Sequence, residues 1–136
     1  MSVRTICGAV LAAIAIASPA QADWEDDYRD GVTAADAGRW QQVATTMRSA
    51  IAANPQASDR RMRIYGMRFE PYVPHFYLGQ ALAELGDCEG ALASLETSLG
   101  QGVVQQTTRL TELRRIQERC RAALPTPTPT PPPVPT

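Results

Sequence analysis

The chain has 136 residues, 13 basic and 14 acidic, for a formal net charge of −1. Every basic residue is an arginine, and the near balance argues against nucleic acid as the main partner, because neutralising phosphates needs a basic excess. Between two unusual ends, residues 23–124 suffice for one domain with a single core.

Residues 1–22 read as an export leader. Arg4 supplies a positive start, Ile6 to Ala17 is an apolar run of 12 residues, and Ala20-Gln21-Ala22 is a small-x-small cleavage site. The run falls short of the roughly 18–20 apolar residues of a membrane span. The expectation is cleavage between Ala22 and Asp23, no stable span afterwards, and a periplasmic or secreted location. Cys7 sits near the start of the apolar run, whereas a lipidated cysteine should follow it. No Arg-Arg pair occurs in the leader, which argues for the general secretory route.

A first helix is expected from Asp23 to Ala37, with Trp24, Tyr28, Gly31 and Ala35 on one face. Its acidic first turn complements the helix dipole, and Gly38 ends it. Trp40, Val43, Ala44, Met47 and Ile51 form the stripe of a second helix, which Asn54-Pro55 terminates. The segment from Gln56 to Tyr72 has no clean helical period after Tyr65, and Gly66, Pro71 and Pro74 would break one. Here the expectation is a helical extension, then an ordered extended loop whose Tyr65, Phe69 and Tyr72 pack onto the helices. Loops of that length in compact domains are usually functional or disordered, and this aromatic content argues against disorder.

Pro74 suits the first turn of a third helix carrying Leu78, Ala81, Leu82 and Leu85. Gly86-Asp87 is a turn, with Asp87 as N-cap for a fourth helix carrying Ala91, Leu92, Leu95 and Leu99. A fifth helix, about 105–123, is amphipathic through Leu110, Leu113, Ile116 and Cys120. From Pro125 to Thr136 only Pro, Thr and Val occur, which predicts a disordered, extended polyproline tail, either a stalk or a linker. Acidic residues crowd the first helix, and arginines crowd both the middle segment and the last helix. These clusters are either complementary across the fold or a dimer, or simply solvated faces.

The chain also repeats itself at an offset of 48 residues. Gly31, Ala35 and Gly38 recur as Gly79, Ala83 and Gly86; Tyr28, Asp36, Met47 and Ile51 recur as Phe76, Glu84, Leu95 and Leu99. His75-x2-Leu78-Gly79-x2-Leu82, then Gly86, Ala91-x3-Leu95 and Leu99, resembles the tetratricopeptide repeat. The first copy is similar through Gly31, Gly38, Trp40, Met47, Ala50, Ile51 and Pro55, and departs from the pattern at Asp30. The resemblance implies an all-α domain over 23–124. Repeat one would span about 24–55, an insert 56–72, repeat two 73–102 and a capping helix 105–123. Two repeats are fewer than the three usually needed for stability, so another contribution is required.

In the resembled family the first helices of successive repeats line a concave groove for a peptide or partner helix. Carried over, that groove would present Glu25, Tyr28, Val32, Ala35 and Asp36, then Val73, Phe76, Gln80, Ala83 and Glu84. The alternative is that Tyr28 and Phe76 pack against the insert or a neighbouring helix. With the leader removed, Cys88 and Cys120 are the only thiols, and two cysteines in an exported domain read as a disulfide. Cys88 opens the fourth helix and Cys120 ends the antiparallel fifth, so the two lie side by side. Closing that loop is worth about 3.7 kcal/mol on the chain-entropy model, against a total stability of ~5–15 kcal/mol.

His75 is the single histidine and has no close ligand spacing for a metal site. No haem signature, phosphate loop or nucleophile elbow appears. The expectation is therefore a protein–protein adaptor that binds an envelope partner, with no catalysis, cofactor or metal. The alternative is a structural or self-associating spacer that carries or anchors another surface domain.

Overall fold

The computed structural model describes residues 23–134, so the leader and the cleavage position at Ala22 lie outside the described residues. Five α-helices follow in chain order: α1 Trp24–Asp36, α2 Trp40–Ala53, α3 Pro74–Glu84, α4 Cys88–Gly100 and α5 Arg109–Ala123. Strands β1 Ser58–Tyr65 and β2 Arg68–Tyr72 stand between α2 and α3, and a 3₁₀ turn Val104–Gln106 precedes α5. The helices stack as a zigzag. Helix α2 packs between α1 and α3, and α4 packs against both α3 and α5. This places α1, α3 and α5 along one side.

Local chemistry sets the helix boundaries. The Asp23 carboxylate caps α1 by accepting from the Glu25 N–H at 3.1 Å, and Asp87 caps α4 through the Gly90 N–H at 2.9 Å. Both α1 and α3 end in a glycine with positive φ, Gly38 at 69° and Gly86 at 86°. The next residue then bonds back: Arg39 N–H to the Ala34 carbonyl at 2.9 Å, and Asp87 N–H to the Leu82 carbonyl at 2.8 Å. This glycine-terminated closure satisfies carbonyls that the helix end leaves free.

The interhelical contacts repeat as well. A Cβ added to Gly31 would lie 2.5 Å from the Met47 terminal methyl, and one added to Gly79 would lie 2.6 Å from Leu95. Each glycine thus lets the second helix of its pair approach the first. Val43, Ala44, Met47, Ala50, Ala81, Ala91, Leu95, Leu113 and Ile116 fill the interior that results.

The fold is not all-α. It is mostly helical, with an antiparallel two-stranded sheet where a helical extension and loop were expected. Met62 and Ile64 face inward while Arg61, Arg63 and Tyr65 face out, a period-two pattern that only a strand can serve. Gly66, at φ 51°, occupies the first central position of a two-residue turn, and Met67 the second with negative φ. A type II′ hairpin turn requires this arrangement. Tyr72 packs in the core as expected, whereas Tyr65 and Phe69 are exposed.

Cys88 and Cys120 form a disulfide between α4 and α5, with Cα atoms 5.0 Å apart, inside the usual range for such a bridge. From Pro125 to Val134 the chain is exposed and without regular structure.

Candidate functional site: a hairpin-covered face and a cleft beside it

The β-hairpin lies across the side formed by α1, α3 and α5. Toward α1, the Arg29 guanidinium donates to the Arg63 carbonyl at 2.9 Å, and the Tyr28 hydroxyl donates to the Pro71 carbonyl at 2.7 Å. The same hydroxyl accepts from the Val73 N–H at 3.2 Å. At the turn, Asp36 pairs with Arg68 and accepts from the Tyr65 hydroxyl at 3.3 Å.

Edge-to-face rings continue the attachment. Tyr72 packs against Trp24 at a centroid distance of 4.7 Å and against Tyr28 at 4.8 Å. Tyr28 also packs against Tyr77 at 5.9 Å, and Phe76 against Tyr77 at 5.1 Å. Each such pair adds about 0.5–1.5 kcal/mol beyond its buried area.

Toward α3 and α5 the attachment is a single carboxylate. Glu70 faces inward opposite Met62, and its side chain is 12% exposed. It accepts from Tyr77 of α3, from Arg68 of its own strand at 2.5 Å and from Arg109 of α5 at 2.6 Å. Arg109 also lies over the Tyr77 ring, 5.5 Å from its centroid. Burial alone would raise the Glu70 pKa, but the hydrogen bonds from Tyr77 and Arg68 and the charge of Arg109 outweigh it and hold the carboxyl below its ordinary value. Glu70 therefore stays ionised and joins three elements. Burial pushes the Tyr77 and Tyr28 hydroxyls up, so both remain protonated donors.

These attachments fix where the expected groove residues stand. Tyr28, Val32, Val73 and Phe76 are buried, and of the four Val73 alone lines the cleft between β2 and α5. Tyr28 and Val73 are joined by their hydrogen bond, and Tyr28 reaches Phe76 only through Tyr77. Gln80 is half-buried. Asp36 is paired with the hairpin, and Glu84 pairs with Arg119 of α5 at 2.8 Å. Of the companion positions, Glu25 is held by Arg29 at 3.2 Å, and Ala35 and Ala83 are half-buried. His75 stands in the first turn of α3, where burial lowers its pKa and favours the neutral ring.

Among the described residues, an opening lies on this side between β2 and the start of α5. It is a cleft of about 370 Å³, within the size range of small-ligand and peptide-side-chain sites. Phe69, Pro71, Val73 and Val103 supply its apolar lining; Arg61, Gln106, Thr107, Thr108 and Arg109 supply donors. Asp59 and Glu70 also line it, but Glu70 is already saturated by its three donors. Arg61 makes no ion pair among the described residues, although it donates to the Phe69 carbonyl at 3.1 Å. With that carbonyl and the Pro71 carbonyl both engaged, and Pro71 lacking an N–H, the β2 edge is blunted against further strand pairing.

Sequence reasoning did not find Glu70, Tyr77 or Arg109. The one available signal was an acidic residue flanked by aromatics and proline in the insert.

No family model, curated protein or solved structure matches the chain. The likeness to tetratricopeptide repeats rests on the repeat residues alone. Among the described residues, no group of three His, Cys, Asp or Glu side chains is placed to hold a metal ion. No described helix is long and apolar enough to cross a membrane.

Proposed function

We propose that the protein is an exported, non-catalytic protein-interaction module built on a tetratricopeptide-like frame. It binds an extended, acidic segment of an envelope partner in the cleft between β2 and α5. The observation that carries this reading is the chemistry of the cleft: beside the Asp59 and Glu70 carboxylates, cationic and neutral donors, Arg61 among them without an ion pair among the described residues, surround an apolar lining. A peptide carboxylate between Arg61 and the α5 entrance, with an apolar neighbour against Phe69 and Val103, meets both demands. Export is supported by the leader-like residues 1–22 and by the disulfide, which is compatible with a periplasmic or extracellular setting.

A peptide array sampling each residue type at every position of a short extended segment tests the reading, with an Arg61→Glu variant as control. Enrichment of Asp and Glu at one position, lost or inverted in Arg61→Glu, is the expected result. Binding indifferent to peptide charge, or unchanged in the variant, contradicts it.

A further inference from the structure

The exposed large apolar side chains of the folded domain are concentrated at the hairpin turn. Met67 is 86% exposed, Tyr65 51% and Phe69 39%; Leu85 is the one other such residue before the proline tail. A cluster of this kind at one protruding turn differs from apolar residues scattered singly, which need no explanation.

Behind it stand arginines. Arg60, Arg61 and Arg63 are exposed and form no ion pair among the described residues. The hairpin's own carboxylates do not cancel them: Glu70 points inward, and Asp59 lies at the opposite end of β1 from the turn. Near the turn, Asp36 is occupied by Arg68. Asp26, beside the Arg63 backbone, is occupied by Arg29 at 2.7 Å.

Order along the hairpin matters more than composition. Met67 lies in the turn and Tyr65 on the first rung. Arg63 faces Phe69 across the sheet, two residues behind Tyr65. From there its guanidinium reaches forward and donates to the Gly66 carbonyl at 2.6 Å, which sets its charge beside the turn. An apolar tip and an aromatic rung with the Arg63 guanidinium beside them match the edge of a bilayer interface, in which apolar groups sink roughly 5–10 Å and arginines reach phosphate. An acidic protein would satisfy the arginines equally well. It would not call for an apolar residue standing almost wholly in solvent on a convex turn, where no preformed socket is needed.

We infer that the Tyr65–Phe69 turn docks on the surface of an anionic phospholipid bilayer. Met67 and Tyr65 enter the interface, and Arg63 binds a headgroup phosphate. This docking is independent of the cleft, whose Arg61 and Phe69 are therefore left out of the variants.

Co-sedimentation of the purified protein tests it, with vesicles of phosphatidylcholine alone and of phosphatidylcholine mixed with phosphatidylglycerol. Binding to the mixed vesicles only, weakened by salt, is expected. The variant Arg63→Ser should lose about fivefold in partitioning. Met67→Asp should also lose binding, with an unchanged far-UV circular dichroism spectrum showing that each variant is folded. Absence of binding to either vesicle, equal binding to both, or partitioning unaffected by Met67→Asp would overturn the inference. Binding to soluble polyglutamate but not to vesicles would overturn it in favour of an acidic protein partner.

Discussion

The two helical hairpins are built alike and secured differently. In each, a glycine lets the partner helix approach and a left-handed glycine closes the first helix. At the start of their second helices they diverge: Trp40 stands in one where Cys88 stands in the other. Hairpin two is bonded covalently to α5 through Cys120. Hairpin one is covered by the β-hairpin through hydrogen bonds and stacked rings. A two-repeat stack is therefore stabilised at one end by a bridge and at the other by its own insert. Only the second attachment can loosen without chemistry.

The largest effect should come from the covalent end. Replacing Cys88 and Cys120 by serine, or reducing the bridge, should cost about 3–4 kcal/mol in urea unfolding. A loss below about 1 kcal/mol would show that hairpin two needs no such closure.

Next is the carboxylate of the insert. Glu70→Gln leaves Arg68 and Arg109 without their shared anion and should cost about 2–3 kcal/mol, less than a fully buried pair because the site is partly solvated. The pH dependence follows from the same group. Its folded pKa lies below the unfolded value of about 4.3. The stability that it contributes is thus complete above that value and is lost as pH falls through the folded pKa. Wild type should lose stability on acidification below about pH 4 more steeply than Glu70→Gln, a difference that equilibrium unfolding across pH would reveal.

A third test compares the repeats directly. In Gly79→Ala the new methyl meets the branched carbon of Leu95 and the Ala91 carbonyl, whereas in Gly31→Ala it meets the flexible end of Met47 and the rotatable Thr46 hydroxyl. Both substitutions gain about 1 kcal/mol of helix propensity. Overpacking of about 1–3 kcal/mol should make Gly79→Ala net destabilising and leave Gly31→Ala nearer neutral. Thermal melts of the two variants decide the order.

The smallest effect concerns the surface. Glu84→Gln breaks the exposed pair with Arg119 and should change stability by less than about 1 kcal/mol. A larger loss would mean that this pair, and not the bridge alone, fixes α5 to α3.

The parts legible in sequence were those written in local pattern. Gly38 and Gly86 marked turns, the apolar stripes marked helices, and the equivalence of Trp40 with Cys88 placed the bridge beside α5. The insert was harder to read. In β1 the inward alternation comprises only Met62 and Ile64, flanked by arginines, and Gly66 and Pro71 interrupt the stretch before Tyr72, so neither period was sustained. The third inward residue is Glu70, whose burial makes sense only beside Tyr77 and Arg109, seven and 39 residues further along the chain. Tyr28 looked like a surface anchor because aromatics at that repeat position can face a ligand. Its partner is a backbone carbonyl 43 residues away, which no spacing rule reports.

The attachment of the β-hairpin to α3 rests on the contact between Glu70 and Tyr77, and a double-mutant cycle measures it directly. Urea unfolding of wild type, Glu70→Gln, Tyr77→Phe and the double variant should yield a coupling energy of about 1–3 kcal/mol. Additive effects of the two substitutions would mean that the hairpin does not bind α3 through this carboxylate, and would contradict the account.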